Sequence, residues 1–139
     1  MMIKGKGYSY ILCVLLCYTV TGCGKKNTVI PSGDVSIEVY VKHHQVPIAY
    51  SKVFVKYNTL VFPGTDTNLY DTYKIADLNG YLRFDNLENG NKEFVLFAIG
   101  IDPDWDSSHN TKVWGYVPIA ITTSPGESKE TKVTIPVSE

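Results

Sequence analysis

Along the chain, apolar and polar positions alternate with a period of two, and turn residues break the pattern at short intervals. Val35, Ile37, Val39 and Val41 alternate with Ser36, Glu38, Tyr40 and Lys42, which predicts a half-buried strand over 35–42. His43-His44-Gln45 makes the connection, and Pro47 sets an extended entry to a second strand at 53–57, with Val53, Val55 and Tyr57 on one face. Residues 60–68 hold Pro63-Gly64 and several Thr, Asp and Asn, so they read as a loop, and 69–76 read as a third strand. Asn79-Gly80 is a turn signal, because both residues tolerate positive φ. Beyond it, Leu82 and Phe84 share one face of a strand, with Tyr81, Arg83 and Asp85 on the other, and Leu87 stands at the core edge before Asn89-Gly90 turns the chain.

The stretch 92–101 is the most apolar. Phe94-Val95-Leu96-Phe97-Ala98-Ile99 is apolar on both faces, as suits a central strand covered on each side or one near a sandwich edge packed by a loop. A polar loop follows over 102–111. Residues 112–122 then place Val113, Val117, Ile119 and Ile121 inward against Trp114, Tyr116, Pro118 and Ala120, and Pro118 marks an edge or a bulge. Ser124-Pro125-Gly126 turns the chain into a last strand over 128–137, with Thr131, Val133, Ile135 and Val137 inward. About seven strands and no amphipathic helix predict an all-β fold: a single β-sandwich of mostly antiparallel strands, Ig-like or prealbumin-like. At roughly 105 residues it buries about two thirds of its unfolded surface, enough for a core without disulfides.

The N-terminal segment follows other rules. Lys4 and Lys6 precede an apolar run of 13 residues from Tyr8 to Val20, then Thr21-Gly22-Cys23. The basic, apolar and small-residue regions are those of a secretory signal peptide, and the run falls short of the ~18–20 residues a spanning helix needs. Val20-Thr21-Gly22-Cys23 resembles the lipobox of bacterial lipoproteins. The resemblance implies cleavage before Cys23 and lipidation of that cysteine, with palmitate among the acyl chains. The organisation expected is a signal peptide at 1–22, a flexible tether at 23–34 and the sandwich at 35–139. It further implies a bacterial cell envelope protein, most plainly of the outer membrane. Lys25-Lys26 stands where acidic residues often direct surface display in similar lipoproteins, which adds weight to the periplasm-facing side.

Three pieces of the domain resemble the transthyretin-like, carboxypeptidase-regulatory-like and Cna-B-type sandwiches. They are Val35-Ser36-Ile37-Glu38-Val39 with Val46-Pro47-Ile48-Ala49, then Ala76-Asp77-Leu78-Asn79-Gly80-Tyr81-Leu82-Arg83-Phe84, then Asp85-Asn86-Leu87-Glu88-Asn89-Gly90. Ala76 replaces the threonine usual at the head of the second piece. The resemblance implies a fold and an accessory or adhesive role rather than an enzyme.

Charge narrows the partners. The chain carries a net charge of −1; without residues 1–22, which hold two lysines and no acid, 11 basic and 14 acidic groups remain, a charge of −3. That excludes a polyanion-binding footprint, so nucleic acid is not an expected partner. Cys13, Cys17 and Cys23 all precede the domain, leaving it no disulfide framework and no cysteine-based metal site.

The candidate chemistry is sparse. Asp102, Asp104 and Asp106 alternate and could converge on Ca²⁺. The EF-hand pattern fails, with Ser107 at its sixth position and Val113 at its twelfth, so a solvated acidic loop is the plainer reading. His43, His44 and His109 read as exposed turn residues, since adjacent histidines of an extended chain point apart. Trp105, Trp114 and Tyr116, with Tyr40 and Tyr81, are candidates for an aromatic platform; packing of Trp114 and Tyr116 under a loop is the structural alternative. No nucleophile elbow or phosphate loop occurs. The expectation is a membrane-anchored, non-catalytic accessory or binding module with a protein or glycan partner and no cofactor. The alternatives are a glycan-binding module of a carbohydrate-uptake system and a structural subunit of a surface assembly.

Overall fold

The structure, a computed structural model, describes residues 35–87, 92–102, 111–124 and 126–139. Signal peptide, tether, Cys23, Asp104, Trp105, Asp106 and His109 lie outside the described residues. Within them the chain forms eight strands: β1 (Val35–His43), β2 (Val46–Pro47), β3 (Lys52–Tyr57), β4 (Thr72–Ile75), β5 (Tyr81–Leu87), β6 (Lys92–Ile101), β7 (Lys112–Ile121) and β8 (Lys129–Pro136). One 3-10 turn at Thr67–Leu69 is the only helical element among them.

Two sheets of four strands face each other, giving the expected all-β sandwich. In the first, β1 pairs antiparallel with β2 and β5, and parallel with β8 from Val35↔Lys129 to Lys42↔Pro136. In the second, the order is β4-β3-β6-β7, all antiparallel. The alternation read from the sequence holds strand by strand: Val35, Ile37, Val39 and Val41 are buried in one core with Val53, Val55, Leu82, Phe84, Val113, Ile119, Ile121 and Ile135. The eighth strand is the two-residue β2, which holds the Pro47 entry. His44 and Gln45 link it to β1, both with positive φ, in a tight two-residue hairpin.

The turn after β4 locks the first sheet. Asp77 Oδ1 accepts hydrogen bonds from the backbone of Asn79 (2.8 Å) and Tyr81 (2.9 Å). Val41 N donates to Gly80 O at 2.9 Å, so the turn rests on β1. Gly80 has φ +65°, whereas Asn79 stays out of the left-handed region. A Cβ on Gly80 would stand 2.6 Å from Val41 O, which is why only glycine fits.

β6 explains its own sequence. Phe94, Leu96 and Ala98 face the core, and Val95 and Phe97 face the other way yet are fully buried. Phe62 and Tyr70, from residues 58–71, lie against Phe97 on that side. β7 is an edge strand, as Pro118 suggested, and its first half is closed by the C-terminus through a Trp114↔Ser138 bridge.

Candidate functional site

Cross-strand register places an unbroken row of aromatic side chains across the outer face of the second sheet. Tyr73 on β4 faces Phe54 on β3, Phe54 faces Phe97 on β6, and Phe97 faces Tyr116 on β7. The row beside it is Ile75, Lys52, Ile99 and Trp114. Directly opposed residues share a face in an antiparallel pair, so these two rows make the middle of the outer surface apolar except at Lys52.

The crossing loop adds two more rings. Tyr70 stacks on Phe97 (centroids 5.3 Å, 18°), and its hydroxyl donates to Gly64 O at 2.8 Å. Burial pushes the Tyr70 phenol up to about 12. Phe62 stacks on Tyr116 (4.1 Å, 10°), lies parallel to Trp114 (6.3 Å, 5°) and tilts against Phe97 (5.5 Å). At its exit the loop is held by Asp71, which accepts from Lys56 Nζ and from Tyr57 N, both at 2.8 Å. The Lys56 bond, with the Tyr57 amide, holds the Asp71 carboxyl below its usual range.

Trp114 and Tyr116 therefore pack beside a loop and remain open: they are 39% and 43% exposed. Of the ten exposed large apolar side chains among the described residues, only Tyr50 and Leu78 lie elsewhere. The other eight are Tyr73, Ile75, Ile101, Trp114 and Tyr116 on this face and Leu60, Val61 and Leu69 on the loop crossing it.

The first sheet's outer face differs in kind. Arg83 Nη1 lies 2.7 Å from Glu130 and 3.5 Å from Glu38, Nε binds Asp85, and Nη2 donates to Ser36 at 3.0 Å. Lys132 Nζ lies 3.1 Å from Glu38 Oε2. That contact is the main reason the Glu38 carboxyl is held below its usual range, with Tyr81 and Arg83 adding to it. Asp85 and Glu130 in turn hold the Arg83 guanidinium charged. A shallow groove of about 440 Å³ beside Arg83 is lined by Ser36, Asp85 and Glu130. A second cavity of about 330 Å³ lies at the end of the sandwich, between Tyr57, Asn58, Asn86, Leu87, Lys92 and Phe94.

The sequence candidates are thus divided between surfaces. Tyr40 and Tyr81 pair with each other (5.2 Å) on the charged face, across the sandwich from Trp114 and Tyr116, so no single platform unites the four. Asp102 is buried rather than solvated, and its Oδ2 lies 2.9 Å from His43 Nδ1. His43 is itself only 12% exposed at its side chain, and its ring stacks on His44 at 4.1 Å. The rings come together because His44, at φ 45°, has left the extended conformation that would part them. Among the described residues no three His, Cys, Asp or Glu side chains gather as a metal site. Nor is any helix among them long and apolar enough to cross a membrane. Sequence reading missed Phe54, Phe62, Tyr70 and Tyr73 as parts of the aromatic face. The available signal was the density of aromatic residues at 54, 62, 70 and 73, in and around a stretch read as a polar loop.

No family model matches the chain, and no curated protein matches it. Among solved structures, a 9R-lipoxygenase from Cyanothece aligns over 76% of this chain at 13% identity and a TM-score of 0.33. The chain covers 16% of the length of that lipoxygenase.

Proposed function

We propose that the protein is a bacterial envelope lipoprotein, anchored by lipid on Cys23, whose sandwich works as a non-catalytic binding or accessory module. Its working surface is the aromatic outer face of the β4-β3-β6-β7 sheet. One observation carries the reading: eight of the ten exposed large apolar side chains gather on that face and its loop. Concentration of exposed apolar surface on one side marks a contact surface, since scattered single residues would need no explanation. The charged groups of the opposite face are engaged with one another, which supports a role by contact rather than by acid–base chemistry. At about 0.8 kcal/mol per buried methylene, two or more acyl chains suffice for stable anchoring.

Growth with labelled palmitate tests the anchor: label enters the wild type and is lost in Cys23→Ala, and an unlabelled wild type refutes it. Pull-downs with wild type and Trp114→Ala test the face, and identical profiles count against it. A glycan-binding role is the second reading, favoured by the exposure of Trp114 and Tyr116, and glycan-array screening of the same pair distinguishes it.

A further inference from the structure

We propose that the aromatic outer face lies flat on the lipid bilayer itself, so that the sandwich is held at the membrane by its surface as well as by its anchor. The inference rests on the lipid-anchor reading and names what the same face touches.

Three observations select a bilayer as the occupant. The first is chemical. Around Trp114 and Tyr116 the outward neighbours are Ile99, Phe97, Phe62 and Pro118, with Lys112 and Ser138 the polar residues beside Trp114. A sugar site needs polar groups converging on the ring to bind hydroxyls, and one face of the Tyr116 ring is already taken by Phe62. Tryptophan and tyrosine beside exposed isoleucine and valine are the side chains of the bilayer interface, where an apolar body and a polar tip are both satisfied.

The second is electrostatic. Lys52 and Lys112, both exposed, stand on the half of the face that holds Ile75, Ile101 and Trp114, with Lys52 Nζ over the Tyr73 ring at 5.7 Å. Of the exposed carboxylates on and around the described part of this face, Asp71 is bound to Lys56 and Glu93 faces Ala120 near the far end of β6, while Asp66 stands on the crossing loop and Glu139 follows Ser138, which bridges to Trp114. Lysines can bury their stems along apolar surface while the ammonium groups reach anionic headgroups.

The third is reach. Eleven residues separate Cys23 from Val35, and so short a chain spans at most ~40 Å when fully extended. A domain of this size is about 30 Å across, so an anchored sandwich cannot move far from the lipid surface. Short linkers create effective concentrations of about a millimolar. A face with weak intrinsic affinity for lipid is then largely docked.

Brominated-lipid quenching of tryptophan tests the proposal on the full lipidated protein, reconstituted in vesicles of phosphatidylethanolamine and phosphatidylglycerol. In a Trp105→Phe background Trp114 is the sole reporter. Its emission is expected to shift to shorter wavelength and to be quenched by the brominated lipid. A reporter on the charged face, made by Tyr40→Trp with Trp105→Phe and Trp114→Phe, is expected to do neither. The double variant Lys52→Glu/Lys112→Glu should reduce the quenching of Trp114, as should raised salt. If anchored protein shows Trp114 quenched no more than the Tyr40→Trp reporter, docking is overturned and the anchor stands. Shielding of Trp114 that grows with protein concentration in detergent, without vesicles, overturns it in favour of a second copy. Protein that takes no palmitate and does not float with vesicles overturns the anchor and the docking together.

Discussion

The two outer faces of this sandwich are built from the same alternation and end in opposite states. On the first sheet the outward positions are Ser36, Glu38, Tyr40, Arg83, Asp85, Glu130 and Lys132, and their charges are matched within the face. On the second they are Phe54, Tyr73, Ile75, Phe97, Ile99, Trp114 and Tyr116, and a loop covers only the middle of them. A sheet facing water on its outside needs a polar outer surface. The first sheet meets that condition by itself, whereas the second meets it only where Phe62 and Tyr70 are laid over Phe97. The difference separates a surface whose polar groups meet water from one that leaves large apolar side chains exposed.

Substitutions at the centre of each face should separate them most. Phe97→Ala removes a fully buried ring from under the loop and is expected to cost about 3–5 kcal/mol in urea unfolding. Arg83→Ala, at the centre of the charged face, is expected to cost far less, because its ion pairs to Asp85 and Glu130 are exposed and screened. Comparable losses for the two would mean that the charged face is structural and would erase the contrast.

A smaller effect is expected at Phe62. Phe62→Ala removes the stack on Tyr116 and should cost about 1 kcal/mol, with Trp114 emission, read in a Trp105→Phe background, moving to longer wavelength as water reaches the ring. An unchanged spectrum would show that the loop does not shield it.

Each face also holds groups shifted from their usual range, so stability should fall at both ends of the pH scale. Glu38 on the charged face has a carboxyl held below its usual range. Its contribution to stability is present above the unfolded value of roughly 4.3 and is lost as pH falls through the lower folded value. Glu38→Gln should flatten the acid limb of a stability profile. Asp71 shares the direction, so part of that limb should survive in the variant. Under the loop, Tyr70 is raised to about 12. Its contribution is present below the unfolded value of about 10 and is lost as pH rises through the folded one. Ultraviolet titration should show late phenols, since Tyr57 and Tyr81 are raised too, and the one pushed to about 12 should be absent from Tyr70→Phe.

Legibility in the sequence followed the same division. The core was readable because burial imposes a strict period of two: 92–101 was read as a strand with both faces apolar and covered, and it is one, whereas the strand read over 69–76 is only Thr72–Ile75, its start being taken by the turn at Thr67–Leu69. What covers its outer face was not readable. Phe62 and Tyr70 sit among Pro, Gly, Thr, Asp and Asn, and nothing in local composition shows that a loop will fold back over Phe97. The pairing of Tyr40 with Tyr81, remote from Trp114, depends on which strands share a sheet, a property of topology rather than of pattern. The parallel pairing of β1 with β8 joins residues about 94 positions apart and has no local signature either. His44 and Gln45 form a turn without the Asn-Gly pair that usually announces one. Function was the least legible part, because the aromatic face belongs to no single stretch of the chain.

The central claim is that this face, and not the charged one, touches its surroundings in the cell envelope. Hydroxyl-radical footprinting of intact envelopes, compared with purified protein in detergent, measures that directly. Protection confined to Tyr73, Trp114 and Tyr116, with Tyr40 and Tyr81 modified equally in both samples, is the predicted result. Equal modification of all five in both samples, or protection of Tyr40 and Tyr81 instead, would contradict it.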